Sequence, residues 1–151
     1  MVSLKRSGYH LPNKEIISTV IMIILNEATT VRSQTRFHRL VLLKLREMEG
    51  GNLKLSAQRL RRIAAKMENV DMIIHCRDGS RNFRRVYCPV CSTAMDDIKN
   101  STLYGWTVST GKRCPICGYW AGTRERIPIR YVFTIEKERY IRETLNGKDE
   151  K

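Results

Sequence analysis

Long apolar runs and export signals are missing from this sequence. The longest apolar run extends from Ile16 to Leu25 and contains Ser18 and Thr19, whereas a transmembrane helix needs about 20 largely apolar residues. The basic segment from Met1 to Arg6 is not followed by the apolar stretch and cleavage site of a signal peptide. These absences predict a cytoplasmic protein with no membrane partner.

Catalytic motifs are missing as well. The sequence contains no glycine-rich phosphate loop, no pair of carboxylates at motif spacing, and no nucleophile combined with a general base. We therefore expect no catalytic residues and no enzymatic activity.

Acidic residues are few compared with basic ones. There are 15 Asp and Glu against 28 Lys and Arg, which gives a net charge of +13. The imbalance is largest in residues 52–87, which contain 9 basic and 3 acidic residues. A concentrated basic surface indicates a polyanionic partner, and nucleic acid is the usual one. The alternative is a solvated basic face on a thermostable protein.

Four of the five cysteines form two C-x-x-C pairs, Cys88 with Cys91 and Cys114 with Cys117, separated by 22 residues. Two such pairs at this separation supply four thiolates to one tetrahedral zinc ion, as in a zinc ribbon. Because all four ligands come from the protein, no position remains for a catalytic water. The sequence therefore predicts one structural Zn²⁺ ion.

Other assignments of the cysteines remain open. Cys114-Pro115-Ile116-Cys117-Gly118-Tyr119 also resembles a rubredoxin knuckle, and four thiolates bind iron as well as zinc. Two disulfides are a further alternative, although disulfides are uncommon in intracellular proteins. Cys76 lies outside both pairs and is expected to be a buried apolar thiol. Between the pairs, Leu103 to Val108 is predicted as a strand and Ser109 to Lys112 as a turn.

Three helices are predicted before the cysteines, because apolar residues recur there at helical spacing. The first begins at Asn13 or Lys14, the second runs from its N-cap Ser33 to about Glu49, and the third runs from its N-cap Ser56 to Met67. Residues 29–31, between the first two helices, are compatible with a short strand.

The third helix has the composition of a DNA-recognition helix. Its apolar residues would pack on the other helices, which leaves the opposite face free for a ligand. The residues predicted to face base edges in the major groove are Gln58, Arg62, Ala65 and Asn69. Those predicted to contact phosphates are Arg59, Arg61 and Lys66. The alternative is an ordinary amphipathic helix with a solvated basic face.

A β-hairpin is predicted to follow this helix. Val70 to Cys76 and Asn82 to Tyr87 have strand character, and Asp78-Gly79 between them is a hairpin-turn signal. Three helices followed by a basic hairpin predict a winged helix-turn-helix. The arginines predicted to reach nucleic acid from the wing are Arg77, Arg81, Arg84 and Arg85.

The C-terminal part is expected to complete the ribbon and end in a helix. Tyr119 and Trp120 are interpreted as packing residues, with base stacking as the alternative. A strand is predicted from Ile127 to Ile135 and a helix from Glu136 to Leu145, the latter as a possible homodimer contact. The predicted α+β chain has a basic lead-in (1–12), a winged helix-turn-helix (13–87), a zinc ribbon (88–135), and a C-terminal helix with its tail (136–151).

The chain resembles a group of archaeal proteins in which a winged helix precedes a zinc ribbon. The resemblance is carried by Ser56-Ala57-Gln58-Arg59-Leu60-Arg61-Arg62-Ile63-Ala64, Cys88-Pro89-Val90-Cys91, Leu103-Tyr104-Gly105-Trp106-Thr107-Val108 and Cys114-Pro115-Ile116-Cys117-Gly118-Tyr119-Trp120. Ser92 departs from it, since ribbons commonly have glycine after the second cysteine. These proteins are described as predicted transcriptional regulators, so the resemblance implies transcription regulation.

The sequence thus favours a zinc-containing protein that binds double-stranded DNA. Three alternatives remain: an RNA- or ribosome-associated zinc-ribbon protein, a rubredoxin-like iron electron carrier, and a protein-interaction adaptor whose basic face is incidental. Binding that prefers structured RNA over duplex DNA at matched salt would favour the RNA-associated alternative.

Overall fold

The structure, a computed structural model, describes residues 10–146, so most of the predicted lead-in and the end of the tail lie outside the described part. Its first elements are the helices α1 (Lys14–Ala28), α2 (Gln34–Glu49) and α3 (Ala57–Ala65). The predicted caps Ser33 and Ser56 are confirmed, because their side chains accept hydrogen bonds from backbone amides of the first turns, and Asn13 caps α1 in the same way. Helix α3 ends two residues before the predicted Met67.

The remaining elements are mostly strands. They are β1 (Thr30–Val31), β2 (Asp71–Asn82), β3 (Asp96–Ser101), β4 (Thr107–Arg113), β5 (Trp120–Ala121), β6 (Arg124–Thr134) and the helix α4 (Lys137–Asn146). The strands form two antiparallel three-stranded sheets with the orders β1-β6-β2 and β3-β4-β5. The described chain is therefore an α+β structure with two small sheets.

Strand β2 differs from the prediction. It continues through Asp78 and Gly79 and pairs with β6, so the predicted β-hairpin of residues 70–87 is wrong. A Cβ atom at Gly79 would lie 2.3 Å from Cγ of Glu125 on β6. Gly79 therefore lies against the side chain of Glu125 within a continuous strand and not in a turn. The strand predicted at Ile127 to Ile135 exists as β6, but it belongs to this first sheet.

The second sheet also differs locally. The chain turns at residues 102–106, where Gly105 has a φ of +82°, and β4 follows from Thr107. The predicted turn at Ser109 to Lys112 is therefore wrong, and of the strand predicted at Leu103 to Val108 only Thr107 and Val108 lie in a strand. A Cβ atom at Gly111 would lie 2.3 Å from the carbonyl oxygen of Ala121, so this glycine permits the pairing of β4 with β5. Both cysteine pairs lie between β2 and β6 along the chain.

The main core lies between the three helices and the first sheet. The predicted apolar faces of α1, α2 and α3 are buried there, together with Val31 and Phe133 from the strands. The rings of Phe37 and Phe133 stack with centroids 4.2 Å apart, which joins α2 to β6. Burial of each large side chain contributes about 1.5–3 kcal/mol, so this core stabilises the helical part without help from a ligand.

Helix α4 follows β6 and is close to the predicted 136–145 segment. Its side chains Ile141 and Leu145 are exposed. Whether it forms a homodimer contact stays a prediction. Among residues 10–146, none of the helices combines the length and apolar character that a membrane crossing requires.

Candidate metal centre and basic surface

The two cysteine pairs lie in turns with the same hydrogen-bond pattern. The amide of Cys88 donates to the carbonyl of Thr93 (2.8 Å), and the amide of Cys114 donates to the carbonyl of Tyr119 (2.7 Å). In each turn the amide two residues after the first cysteine points at that cysteine's sulfur, at 3.4 Å in both cases. Such N–H···S contacts stabilise a thiolate, so both turns are suited to metal ligation.

The residue after each second cysteine has a left-handed backbone. Ser92 has a φ of +64° and Gly118 a φ of +79°. The same backbone conformation thus occurs in both turns, although only one of them has the glycine that adopts it without steric cost. The departure at Ser92 therefore adds local strain to the first turn but leaves its geometry unchanged.

The four predicted ligands converge. Their sulfur atoms all lie within 4.8 Å of one another, and Cys88, Cys91 and Cys114 are buried. The Cys91–Cys114 and Cys88–Cys117 sulfur distances are 3.4 and 3.5 Å, far beyond a disulfide bond of about 2.05 Å. Four sulfurs at about 2.3 Å from one tetrahedral ion would lie about 3.8 Å apart, so the cluster fits a single metal ion.

The thiols of this cluster perturb each other. Hydrogen bonds from Cys117 and Cys88 lower the pKa of Cys91, whereas the interactions with Cys88 and Cys91 raise the pKa of Cys117. Hydrogen bonds from the neighbouring thiols thus favour the thiolate form of Cys91. A divalent cation would replace the protons of these thiols as it binds.

Arg61 connects this cluster to the helical core. Its side chain is 9% exposed, and its Nε donates to the carbonyl of Val90 between two of the ligands, at 2.8 Å. Its Nη1 donates to Oε1 of Gln34 at the start of α2, also at 2.8 Å, and its guanidinium lies 4.7 Å from the ring centroid of Tyr131. A guanidinium held in this way is not available to a phosphate, so Arg61 does not have its predicted role.

Burial of Arg61 has an electrostatic explanation. None of these contacts is with a carboxylate, yet buried charges are normally compensated. A divalent ion with four thiolates carries a net charge of about −2, and the guanidinium is bonded to a backbone carbonyl within the first turn. Arg61 is therefore suited to balance the charge of a bound centre. Helical periodicity could not have indicated this role.

The predicted DNA-facing side of α3 is partly covered. Ala65 packs against the cysteine cluster, and Nη2 of Arg62 donates to Oγ of Ser92 at 2.7 Å. Ala65 is thus partly covered, and its predicted approach to a base stays a prediction. Gln58 and Lys66 are exposed and Arg59 is half-buried, while Asn69 is exposed in a turn beyond the end of the helix. Contacts of these residues with nucleic acid stay predictions.

The arginines predicted for the wing form a more open surface. Arg77, Arg81, Arg84 and Arg85 are all exposed, the first two on β2 and the others in the segment after it. Strand β6 adds Arg124, opposite Asn82, and Arg126, opposite Asp78. The sequence analysis missed the β6 arginines, because the pairing of β6 with β2 has no local pattern.

The adjacent aromatic residues Tyr119 and Trp120 have different environments. Tyr119 is 2% exposed, and its hydroxyl donates to the carbonyl of Arg126. Burial raises the pKa of Tyr119 to about 12, which keeps the phenol protonated as a donor. Packing is confirmed for Tyr119, whereas Trp120 is 44% exposed. Cys76 is half-buried, and burial raises its pKa, as expected of a thiol that is not a ligand.

Comparison of the chain with protein-family models, with curated proteins and with solved structures found no match. The function must therefore be argued from the four-cysteine cluster and the basic surfaces themselves. The structure supports a chain with a possible four-cysteine metal site on an α+β framework.

Proposed function

We propose that this protein is a zinc-stabilised DNA-binding protein that acts in transcription. The observation that carries the proposal is the arginine-rich far end of the β2–β6 pair. Residues 77–85 and 124–130 contain seven arginines against Asp78 and Glu125. Such an excess on a narrow two-stranded ribbon suits the phosphate backbone of a duplex.

The arrangement of elements is compatible with a winged helix-turn-helix. Three helices are followed by β2, and the β2–β6 pair would serve as the wing in place of the local hairpin that the sequence predicted. Residues 88–121, the cysteine ribbon, contain both cysteine turns and strands β3 to β5. This ribbon would then be an insertion between the two strands of the wing. Zinc is the proposed ion, because four thiolates in closed tetrahedral sites are typical of structural zinc.

Because the first cysteine turn covers part of α3, the proposed mode of DNA binding differs from that of a free recognition helix. Arg62 is bonded to Ser92, and Ala65 packs on the cysteine cluster, so few side chains of α3 can reach base edges. Phosphate contacts from the wing would dominate the affinity. We therefore expect strong dependence on salt concentration and weak discrimination between duplex sequences.

The test is a fluorescence-anisotropy titration of the metal-loaded protein with duplex DNA over a series of salt concentrations. The double variant Arg84→Ala/Arg85→Ala should weaken binding and reduce the slope of log affinity against log salt by about 1–2, since each phosphate contact contributes about 0.9. Arg46→Ala, which removes an exposed arginine from α2, is the matched control and should leave the slope unchanged.

Two results would overturn the proposal. Equal loss in the Arg46→Ala control would show that affinity follows net charge alone. Tighter binding of structured RNA than of duplex DNA at matched salt would move the protein to the RNA-associated class.

A further inference from the structure

A groove runs along the second cysteine turn, on the side that faces β2. It consists of two adjoining clefts of about 190 and 340 Å³, which share Met72, Cys117, Gly118 and Lys137 in their walls. One wall is strand β2, and the other is the chain from Arg113 to Trp120. Because the clefts share walls over several residues, they provide an elongated site that suits an extended chain.

Trp120 forms an aromatic surface in this groove. Its side chain is 44% exposed. The guanidinium of Arg126 lies 3.9 Å from its ring centroid and donates to its carbonyl oxygen at 3.0 Å. Arg126 therefore holds the ring in place, and the exposed part of the ring remains accessible. Guanidinium–aromatic stacks of this kind also occur where bases stack on proteins.

The charge of the groove is positive. Arg113, which lies opposite Trp120 on β4, and Lys137 line it together with Arg126, whereas Asp71 is the acidic residue of its walls. The β2 side is apolar, with Met72, Ile74 and Cys76. An exposed aromatic ring, an apolar floor and nearby cations together match a nucleotide chain, whose bases are flat and whose phosphates are anionic.

Exposed aromatic surface alone would not support this assignment. Trp106, in the turn between β3 and β4, is 71% exposed and lies 6.1 Å from Tyr104 between ring centroids. However, residues 100–111 contain no charged side chain. The chain next to Trp106 therefore supplies no cation for a phosphate, and Trp106 offers an internal comparison with Trp120.

We propose that the groove binds single-stranded nucleic acid, with a base stacked on Trp120 and the backbone beside Arg113 and Lys137. The proposal rests on the proposed function for its ligand class, but its contacts with the strand, Trp120, Arg113 and Lys137, lie outside the arginine-rich end of the β2–β6 pair. A strand that is open or unpaired would occupy the groove, while the wing arginines would hold the adjacent duplex. The shared chemistry is that of single-stranded DNA and RNA.

The first experiment is a fluorescence titration. The sequence has two tryptophans, so Trp106→Phe leaves Trp120 as the sole tryptophan fluorophore. Addition of oligo(dT) and, separately, oligo(U) to the metal-loaded protein should quench this signal saturably, and salt should weaken the effect. Tighter binding of one oligonucleotide would identify the strand as DNA or RNA. A signal unchanged by either would overturn the proposal.

The second experiment uses matched substitutions. Trp120→Leu should weaken oligonucleotide binding roughly tenfold, Trp120→Phe should retain most of it, and Trp106→Leu should leave it unchanged. Equal loss in Trp120→Leu and Trp106→Leu, or no loss in either, would overturn the proposal. Measurements of metal content and thermal unfolding would identify a variant that has not folded. If Trp120→Leu does not fold, the quenching experiment tests the proposal without this variant.

Failure of this inference can be distinguished from failure of the proposed function. Trp120→Leu should bind duplex DNA with unchanged affinity, because the wing arginines are intact. Arg84→Ala/Arg85→Ala should lose duplex affinity and still show quenching of Trp120 by oligo(dT). If Trp120→Leu retains its metal but loses both duplex binding and oligonucleotide binding, the groove is not a separate site.

Discussion

The helical part and the cysteine ribbon are stabilised by different means. The helical core buries sixteen apolar residues from α1, α2, α3 and the adjoining segments. The ribbon's core has seven buried residues, of which three are the cysteines Cys88, Cys91 and Cys114. Without its cysteines, the ribbon has too few apolar side chains to offset the entropy of ordering its chain. We therefore expect the first region to fold by hydrophobic burial and the second to need a bound metal ion.

Loss of one cysteine ligand should have the largest effect on stability, and it should show that the two regions unfold independently. We expect Cys114→Ser to cost on the order of 10 kcal/mol of metal-binding free energy, since a structural site contributes much of that on folding. The ribbon should unfold, with changes in tryptophan fluorescence and amide exchange, while the helical far-ultraviolet circular dichroism persists. Cys76→Ser is the matched control and should keep the metal. Loss of the helices in Cys114→Ser protein would contradict this independence.

A cavity in the helical core tests the other region. Phe37 is fully buried and stacked on Phe133, so Phe37→Ala should lower the free energy of unfolding by about 3–5 kcal/mol. Leu43→Ala, at a side chain that is 51% exposed, should change it by less than about 0.5 kcal/mol. Denaturant unfolding followed by circular dichroism provides the measurement. Comparable losses in the two variants would show that this core is not specifically packed.

Arg61 joins the two regions, and its removal should uncouple them. Arg61→Met leaves the backbone carbonyl oxygen of Val90 and the side-chain Oε1 of Gln34 without this donor, and we expect a loss of about 3 kcal/mol of unfolding free energy. The transitions seen by helical circular dichroism and by tryptophan fluorescence should then separate. Arg61→Lys should not restore stability, because an ammonium lacks the planar fork of donors. A single unchanged transition in Arg61→Met would show that the link is unimportant.

The backbone strain at Ser92 should have the smallest effect. Ser92→Gly removes the cost of a positive φ but also the hydrogen bond from Arg62, so its net effect should be below about 1 kcal/mol. In an Arg62→Ala background there is no such bond to lose, and Ser92→Gly should stabilise by about 1 kcal/mol. Gly118→Ala should destabilise by a similar amount. Denaturant unfolding of the metal-loaded variants measures all three, and a destabilising Ser92→Gly in the Arg62→Ala background would refute the strain argument.

Local sequence patterns predicted the parts of the molecule that local interactions determine. The three helices with their caps at Asn13, Ser33 and Ser56 follow from side chains a few residues away. The four cysteines were likewise evident, because two metal-binding turns have the same short motif.

The patterns failed where distant segments meet. Asp78-Gly79 has the composition of a turn, but Gly79 accommodates Glu125 from a strand far along the chain. The buried position of Arg61 depends on a first cysteine turn that folds back onto α3, as its bond to Val90 shows. Strand β3 has the sequence Asp-Asp-Ile-Lys-Asn-Ser, which has little intrinsic preference for a strand, so only its pairing with β4 identifies it.

The position of β6 in the middle of the first sheet has a consequence for how the chain folds as it is synthesised. Within residues 10–146, strands β1 and β2 pair only with β6. Thr30 on β1 pairs with Thr134, which is synthesised 104 residues later. Until β6 emerges from the ribosome, the backbone groups of both strands are unpaired and can associate with other chains. The cysteine turns are synthesised before β6, so metal uptake can draw the ends of β2 and β6 together and shorten the loop that must close. We therefore expect metal supply during expression to govern the yield of folded protein as well as its final stability.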